Sequence, residues 1–212
     1  MAIRKEVKTR YIDDKQGLDY TFEPVDGSLT VKKVKGGYEA RYLVHDDSPQ
    51  SPDEWENDNL FLVAYHRDFT VESKLIDNQQ AQNLCKPDDE LDIWEKDFVD
   101  AWKLKYHTFG LEAYIHSGVC LALSGKGDFP DRRWDVSQLG LVFVSKETWP
   151  DEDKARDVAK SLIDEWNMYL SGDVYGCILE RYDKKKKQID YESCWGFYGY
   201  KNALEELKDF NG

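Results

Sequence analysis

The chain has 212 residues, of which 41% are hydrophobic and 14% aromatic, and it carries a formal net charge of −13 at pH 7. Disordered chains are poor in aromatic residues, so this composition excludes a disordered protein. No apolar run reaches the length of a membrane span, and the first ten residues lack the apolar core of a signal peptide. We therefore expect a folded protein that stays in a cytoplasm, without a membrane partner.

The first 45 residues predict a small antiparallel β meander. Short runs rich in Tyr, Val and Thr cover residues 18–22, 29–34 and 38–44. Asp26-Gly27 and Gly36-Gly37 separate these runs, and such pairs are typical of hairpin turns. We expect this segment to form a lobe beside a main α+β core of residues 60–212, within a single domain.

Two main helices are predicted from apolar residues at spacings of three and four. The first covers about residues 88–105, with Asp88 and Asp89 at the position of an N-cap. Its apolar stripe is Leu91, Trp94, Phe98 and Trp102. The second covers about residues 151–171, after Pro150. A hairpin and a short helix follow it.

Residues 139–145 hold the longest uninterrupted apolar run of the chain. A strand here would place Leu139, Leu141 and Phe143 on one face and Gly140, Val142 and Val144 on the other. Both faces would then be buried, as in a central strand that is covered on each side. The predicted fold class is therefore α+β, with a largely antiparallel sheet around this strand and the two main helices packed on it.

Most of the negative charge lies in residues 41–100, which contain 16 acidic and 5 basic residues. Such a segment repels nucleic acid and attracts basic partners, although solubility alone is the simpler explanation. We expect the chain not to bind nucleic acid directly. The expected partner is a protein with a basic surface. The candidate binding residues are Asp46, Asp47, Asp53, Glu54, Glu56, Asp58, Asp92, Glu95 and Asp97.

A second hypothesis places a polar corner at one end of the sheet. If the strands that flank them pair, His116, Asp135 and Gln138 would meet there and could bind a ligand or transfer a proton. Cys194 would supply a nucleophile. Ser117, Ser137, Asp173 and Tyr175 would complete the corner. The alternative is that these residues have structural roles in turns and in the core.

The cysteines give no sign of a metal centre. Cys85, Cys120, Cys177 and Cys194 are far apart, and none belongs to a C-x-x-C pair. We expect reduced thiols, mostly in the core, and neither a zinc ion nor a cofactor.

Two sets of motifs resemble a family of small proteins found in phages, plasmids and integrated mobile elements. The first is Trp134-Asp135-x-Ser137-Gln138-x-Gly140-x-Val142-x-Val144, and the second is Tyr169-Leu170-x-Gly172-Asp173-Val174-Tyr175-Gly176 followed by Ser193 to Gly199. Tyr65-His66 and His116-Ser117-Gly118 also fit, so that the resemblance covers about residues 55–200. It implies a mobile-element origin and leaves open a role against host defences. The family has no assigned reaction.

These observations favour a non-enzymatic accessory protein of a phage or mobile element. We expect it to bind a host protein through its acidic surface and to inhibit a defence nuclease of the restriction or CRISPR type. The alternative is a small-molecule or nucleotide binder, or an enzyme, that uses the polar corner. The sequence does not predict the oligomeric state.

Overall fold

The computed structural model describes residues 11–13, 17–55, 57–66, 69–115, 118–125, 129 and 135–210. Their contacts divide the chain into two compact units. We call Met1–Gln50 with Gly172–Gly212 the terminal unit, and Ser51–Ser171 the central unit. Helices accompany antiparallel sheets in both units, so the predicted α+β class is confirmed.

The described part of the chain alternates strands and helices without a regular repeat. In chain order the elements are β1 (Tyr11–Asp13), β2 (Leu18–Tyr20), β3 (Thr30–Val34), β4 (Gly37–His45), a 3-10 turn (Pro52–Glu54), β5 (Leu60–His66), β6 (Phe69–Val71), α1 (Asn78–Asn83), α2 (Ile93–Lys105), β7 (Tyr106–Ile115), β8 (Val119–Leu123), β9 (Val136–Ser145), α3 (Glu152–Ser171), β10 (Val174–Asp183), β11 (Gln188–Tyr198) and α4 (Tyr200–Asp209).

The central unit is built around β9. Its sheet has the order β6-β5-β9-β7-β8, and every neighbouring pair is antiparallel. Residues 139–145 of β9 are all buried, as predicted for a central strand. On one face Val142 and Val144 pack with α3, and on the other Leu141 and Phe143 pack with α1 and α2.

The strict alternation predicted for this strand is wrong at Leu139. Two adjacent residues of β7 pair with residues of β9 that are two apart, in the pairs Leu111–Gly140 and Glu112–Gln138. Leu139 is therefore the extra residue of a β-bulge, and its side chain lies with Val142 and Val144 on the α3 face. One inserted residue reverses the direction of a side chain, because successive residues of a strand point to opposite faces.

Helix α2 begins later than the sequence suggests. Asp92, not Asp88 or Asp89, is the N-cap, and its carboxylate accepts a hydrogen bond from the Glu95 backbone N–H at 2.8 Å. The Glu95 carboxylate accepts in return from the Asp92 N–H at 3.1 Å. This reciprocal capping box fixes the first turn. The bond from the Asp92 N–H, which favours the ionised form, lowers the pKa of Glu95.

The buried side of α2 also differs from the predicted stripe. Phe98 and Trp102 do pack against the sheet, and Val99 is 1% exposed. Trp94, however, is 81% exposed. Trp94 lies in the first turn, ahead of the residues that reach the sheet, and belongs to none of the apolar clusters in the described part of the chain.

The terminal unit has a four-stranded sheet of order β11-β10-β4-β3. The predicted hairpins β3–β4 and β10–β11 are both present. The expected meander is not, because β2 pairs with β1, and the other edge of β4 pairs with β10. Strand β4 buries Tyr42 on one face and Leu43 on the other. A strand covered on both faces has no solvent for its backbone N–H and carbonyl groups, so β4 needs a hydrogen-bonding partner at each edge. This long-range pairing groups residues 172–212 with the first 50, not with the expected core of residues 60–212.

A fully buried carboxylate lies inside the terminal unit. Glu180 is 0% exposed, and it accepts hydrogen bonds from the Tyr182 hydroxyl at 2.5 Å, the Thr21 backbone N–H at 3.1 Å and the Gln188 amide at 3.3 Å. Burial, with the hydrogen bond to Glu180, raises the pKa of Tyr182. These donors offset the desolvation of the carboxylate, so a structural role explains it.

Strand β8 lies at the edge of the central sheet, and a side chain covers part of its free backbone. The Asn167 amide of α3 accepts from the Leu121 N–H at 2.7 Å and donates to the Leu121 carbonyl at 3.0 Å. The amide thus takes the place that a further strand would occupy, and edge strands left open promote aggregation.

We predict that Asn167→Ala destabilises the protein by about 1–3 kcal/mol, because it leaves the Leu121 N–H and carbonyl without these hydrogen bonds. The measurement is urea unfolding followed by circular dichroism. Ser161→Ala, at an exposed position of the same helix, is the control and should change the stability by less than about 0.5 kcal/mol. Equal losses in the two variants would contradict the role given to Asn167.

We also predict that Gly140→Ala destabilises the protein by about 1–3 kcal/mol. A Cβ atom at residue 140 would lie 1.9 Å from the backbone oxygen of Val63, so the pairing of β9 with β5 would have to shift. In the matched variant Gly118→Ala, the new Cβ would meet no described atom within 4 Å. Thermal unfolding of both variants measures the difference, and a Gly140→Ala protein as stable as Gly118→Ala would refute the close approach.

Candidate functional site

Three of the predicted binding residues line one pocket of about 380 Å³ in the central unit. Asp53, Glu54 and Asp58 meet there with Glu72, which the sequence analysis did not select. Among the described residues of the lining, Lys74 is the one basic residue, so the charged side chains described there carry a net charge of −3. We call this group of residues the acidic pocket.

Short segments around β5 hold these carboxylates. Asp53 and Glu54 belong to the 3-10 turn, which buried Pro52 begins. The backbone of Asp58 is fixed because its carbonyl accepts a hydrogen bond from the hydroxyl of Tyr106 at 3.0 Å. Since Tyr106 is 1% exposed, the loop before β5 is tied to the core.

Glu72 reaches the acidic pocket through strand pairing. It directly follows β6, which pairs with β5 in the register Ala64–Val71. Residues 70–86 show no clear hydrophobic period, and a three-residue strand is too short to produce one. The only signal for Glu72 was its place within the acidic segment 41–100.

The acidic pocket combines negative charge with apolar surface. Buried Phe61 contributes to its wall, and Leu75, which is 36% exposed, lies among the lining residues. Lysine and arginine side chains have an apolar stem and a charged end, so both parts would find matching surface here. A guanidinium can also bind carboxylates through paired hydrogen bonds.

The remaining candidate acids are scattered. In the terminal unit, Asp47 lines a different pocket of about 560 Å³ with Glu23 and Asp26. The Asp46 carboxylate accepts from the Ser48 N–H at 3.0 Å within a turn, which gives it a local structural role. Glu56 lies outside the described residues.

The three candidates on α2 differ from one another. Asp92 and Glu95 form the capping box, and Glu95 also pairs with Lys86 at 3.1 Å. Their charges therefore already have partners within the chain. Asp97 is exposed on the outer side of the helix.

The residues of the predicted polar corner fall in both units. Asp135, Ser137 and Gln138 belong to the central unit, whereas Asp173, Tyr175 and Cys194 belong to the terminal unit. His116 and Ser117 lie outside the described residues. The corner stays a prediction.

Each described half of the corner has local contacts. The amide of Gln138 accepts from the Ser124 hydroxyl at 2.9 Å and donates to the Gly140 carbonyl at 3.1 Å, bonds that join neighbouring parts of the sheet. In the terminal unit, burial raises the pKa of Tyr175 to about 12, and a hydrogen bond to the Asp173 carboxylate adds to the shift.

The cysteines are free, and their expected burial is wrong for three of them. Cys85, Cys120 and Cys194 are exposed, and Cys177 is buried. Cys85 lies in a turn after α1. Cys120 and Cys194 lie on β8 and β11, which are edge strands and so have a neighbouring strand on one side only. Burial raises the pKa of the Cys177 thiol to about 12.

Within the described ranges, no three His, Cys, Asp or Glu side chains are grouped so that they would hold a metal ion. No helix among the described residues is both long and apolar enough to span a bilayer. Comparisons of the chain with protein-family models, with curated proteins and with solved structures found no match.

We predict that three thiols of the native protein react rapidly with an aromatic disulfide reagent at pH 8, and the fourth only after unfolding. The thiolate is the reactive form, and a pKa of about 12 leaves very little thiolate on buried Cys177 at this pH. Absorbance of the released aromatic thiol counts the reactive groups. Cys177→Ala should leave the rapid count at three, while Cys194→Ala should lower it to two; four rapid thiols in the native protein would disprove the assignment.

Proposed function

We propose that this protein acts by binding a basic protein partner through the acidic pocket. The observation that carries the proposal is the convergence of Asp53, Glu54, Asp58 and Glu72 around apolar surface in one concave site. All four of these residues come from the segment 41–100, which holds most of the net negative charge. Long-range attraction would steer a basic partner toward this segment, and the acidic pocket would then fix its orientation.

The partner chemistry follows from the charge and shape of the site. A lysine or arginine side chain that enters the acidic pocket would exchange water for carboxylate contacts. Enzymes that act on nucleic acids expose such residues because they bind phosphates. A defence nuclease of a host cell, of the restriction or CRISPR type, is therefore the partner class that we propose. The mobile-element motifs around Asp135 and Tyr175 support this biological setting, and occupation of the basic surface would inhibit the nuclease.

The direct test replaces the four carboxylates of the acidic pocket with lysine, in the variant Asp53→Lys, Glu54→Lys, Asp58→Lys, Glu72→Lys. The tagged protein is first used to capture proteins from host lysate, and mass spectrometry identifies them. The dissociation constant of the purified partner is then measured. We expect the variant to bind at least about a hundredfold more weakly, since like charges would face each other across the contact.

A matched control carries the same change of charge elsewhere, through Glu147→Lys, Asp157→Lys, Glu205→Lys and Glu206→Lys, all at exposed positions. It should lose affinity only slightly, through the weaker long-range attraction, and both proteins should show the wild-type circular dichroism spectrum. Equal loss in the two variants would mean that net charge acts alone, and the acidic pocket would then not be the binding site. Unchanged affinity in the pocket variant would refute the proposal.

A further inference from the structure

The outer side of α2 exposes three large apolar side chains. Ile93 is 78% exposed, Trp94 81% and Leu104 81%. No other large hydrophobic side chain in the described part of the chain is as exposed as these three. Single exposed apolar residues are ordinary, but three on one 13-residue helix indicate an interaction surface.

Ile93 and Leu104 share one side of the helix, and Trp94 lies about a quarter turn from them. Successive residues of an α-helix turn by about 100°, so Ile93, Asp97, Asp100 and Leu104, at steps of four, three and four, follow a single line. Trp94 flanks this line. The opposite side carries the residues that pack against the sheet of the central unit. Helix α2 therefore carries large apolar side chains away from the core as well as toward it, and Asp97 and Asp100 lie among the outer ones.

The charges on this surface limit what it can bind. Between Pro87 and Tyr106 the chain has seven acidic and three basic residues, a net charge of −4. Asp97 and Asp100 lie on the line between Ile93 and Leu104, and both are exposed. A second copy of this acidic protein would bring like charges together, and nucleic acid or an anionic membrane would be repelled as well. Charge complementarity selects a partner with apolar side chains and adjacent cations.

We propose that the outer side of α2 is a docking surface for an amphipathic helix of a partner protein, whose apolar side chains are flanked by lysine and arginine. The apolar side chains of the partner would pack between Ile93, Trp94 and Leu104, and its cations would pair with Asp97 and Asp100. An exposed tryptophan beside aliphatic residues is typical of the positions that contribute most to binding. The inference rests on the proposed function and adds to it an apolar anchor that is separate from the acidic pocket.

The test uses the full-length chain and a fluorescent 18-residue helical peptide with leucine on one face and lysine on the other. A second peptide, with glutamate in place of every lysine, is the charge control. Anisotropy gives the dissociation constants. The protein variants are Trp94→Ser with Leu104→Ser, Asp97→Asn with Asp100→Asn, and Ile189→Ser as a matched control at an exposed apolar position of β11.

We expect the lysine peptide to bind the wild-type chain and the glutamate peptide to bind at least about tenfold more weakly. The serine pair and the asparagine pair should each bind the lysine peptide about tenfold or more weakly than the wild-type chain does. Ile189→Ser should change the affinity for this peptide by less than about twofold. The tryptophan emission of the wild-type chain should shift to shorter wavelength on binding, because the Trp94 indole leaves water. The serine pair, which lacks Trp94 but keeps the other six tryptophans, should show no such shift.

Three results would overturn the inference. One is an equal affinity of the serine pair and the wild-type chain for the lysine peptide. Another is a wild-type dimer in sedimentation that the serine pair abolishes, since a second copy would then cover α2. The last is a loss of peptide binding in the four-lysine pocket variant and in no other variant. The peptide would then bind at the acidic pocket, which agrees with the proposed function, and α2 would not be a docking surface. The purified partner distinguishes the two proposals as well. If it fails to bind the pocket variant but still binds the serine pair, the proposed function is supported and the docking surface on α2 is refuted.

Discussion

The burial of β9 on both faces is the constraint on which the central unit depends. A strand with apolar residues on each side must be covered twice, and α3 covers one face while α1 and α2 cover the other. The same strand needs a hydrogen-bonding neighbour at each edge, which it finds in β5 and β7. Its pairing with β5 is close enough that only glycine fits at residue 140.

The acidic pocket is a consequence of that arrangement. Strand β5 is held against β9, and the loop before it is tied to buried Tyr106. Pairing of β6 with β5 then brings Glu72 to the three acids of the preceding segment. The carboxylates are exposed, but the backbone that carries them rests on the most buried strands of the unit. A rigid base under charged residues limits the entropy that binding has to overcome.

Helix α2 illustrates how one element serves two purposes. Phe98, Val99 and Trp102 stabilise the core, and the capping box of Asp92 and Glu95 begins the helix at a defined residue. Because these tasks occupy one side and one end only, the sequence of the outer side is free to serve recognition. The carboxylates used in the cap already have hydrogen-bond donors within the chain, so the charges that remain for a partner are those of Asp97 and Asp100.

The sequence by itself determined the features that depend on neighbouring residues. The apolar run of β9, the helical spacing of α3, and the glycine turn of the β3–β4 hairpin were all visible there, because periodicity and turn chemistry are local. The tertiary structure alone decided the pairing of β4 with β10, the bulge at Leu139, and the turn of Trp94 toward solvent. Each of these depends on contacts between residues far apart in the chain. The acids of the pocket were predicted as members of a charged segment, but their convergence with Glu72 required the register of two paired strands, and no local pattern encodes that register.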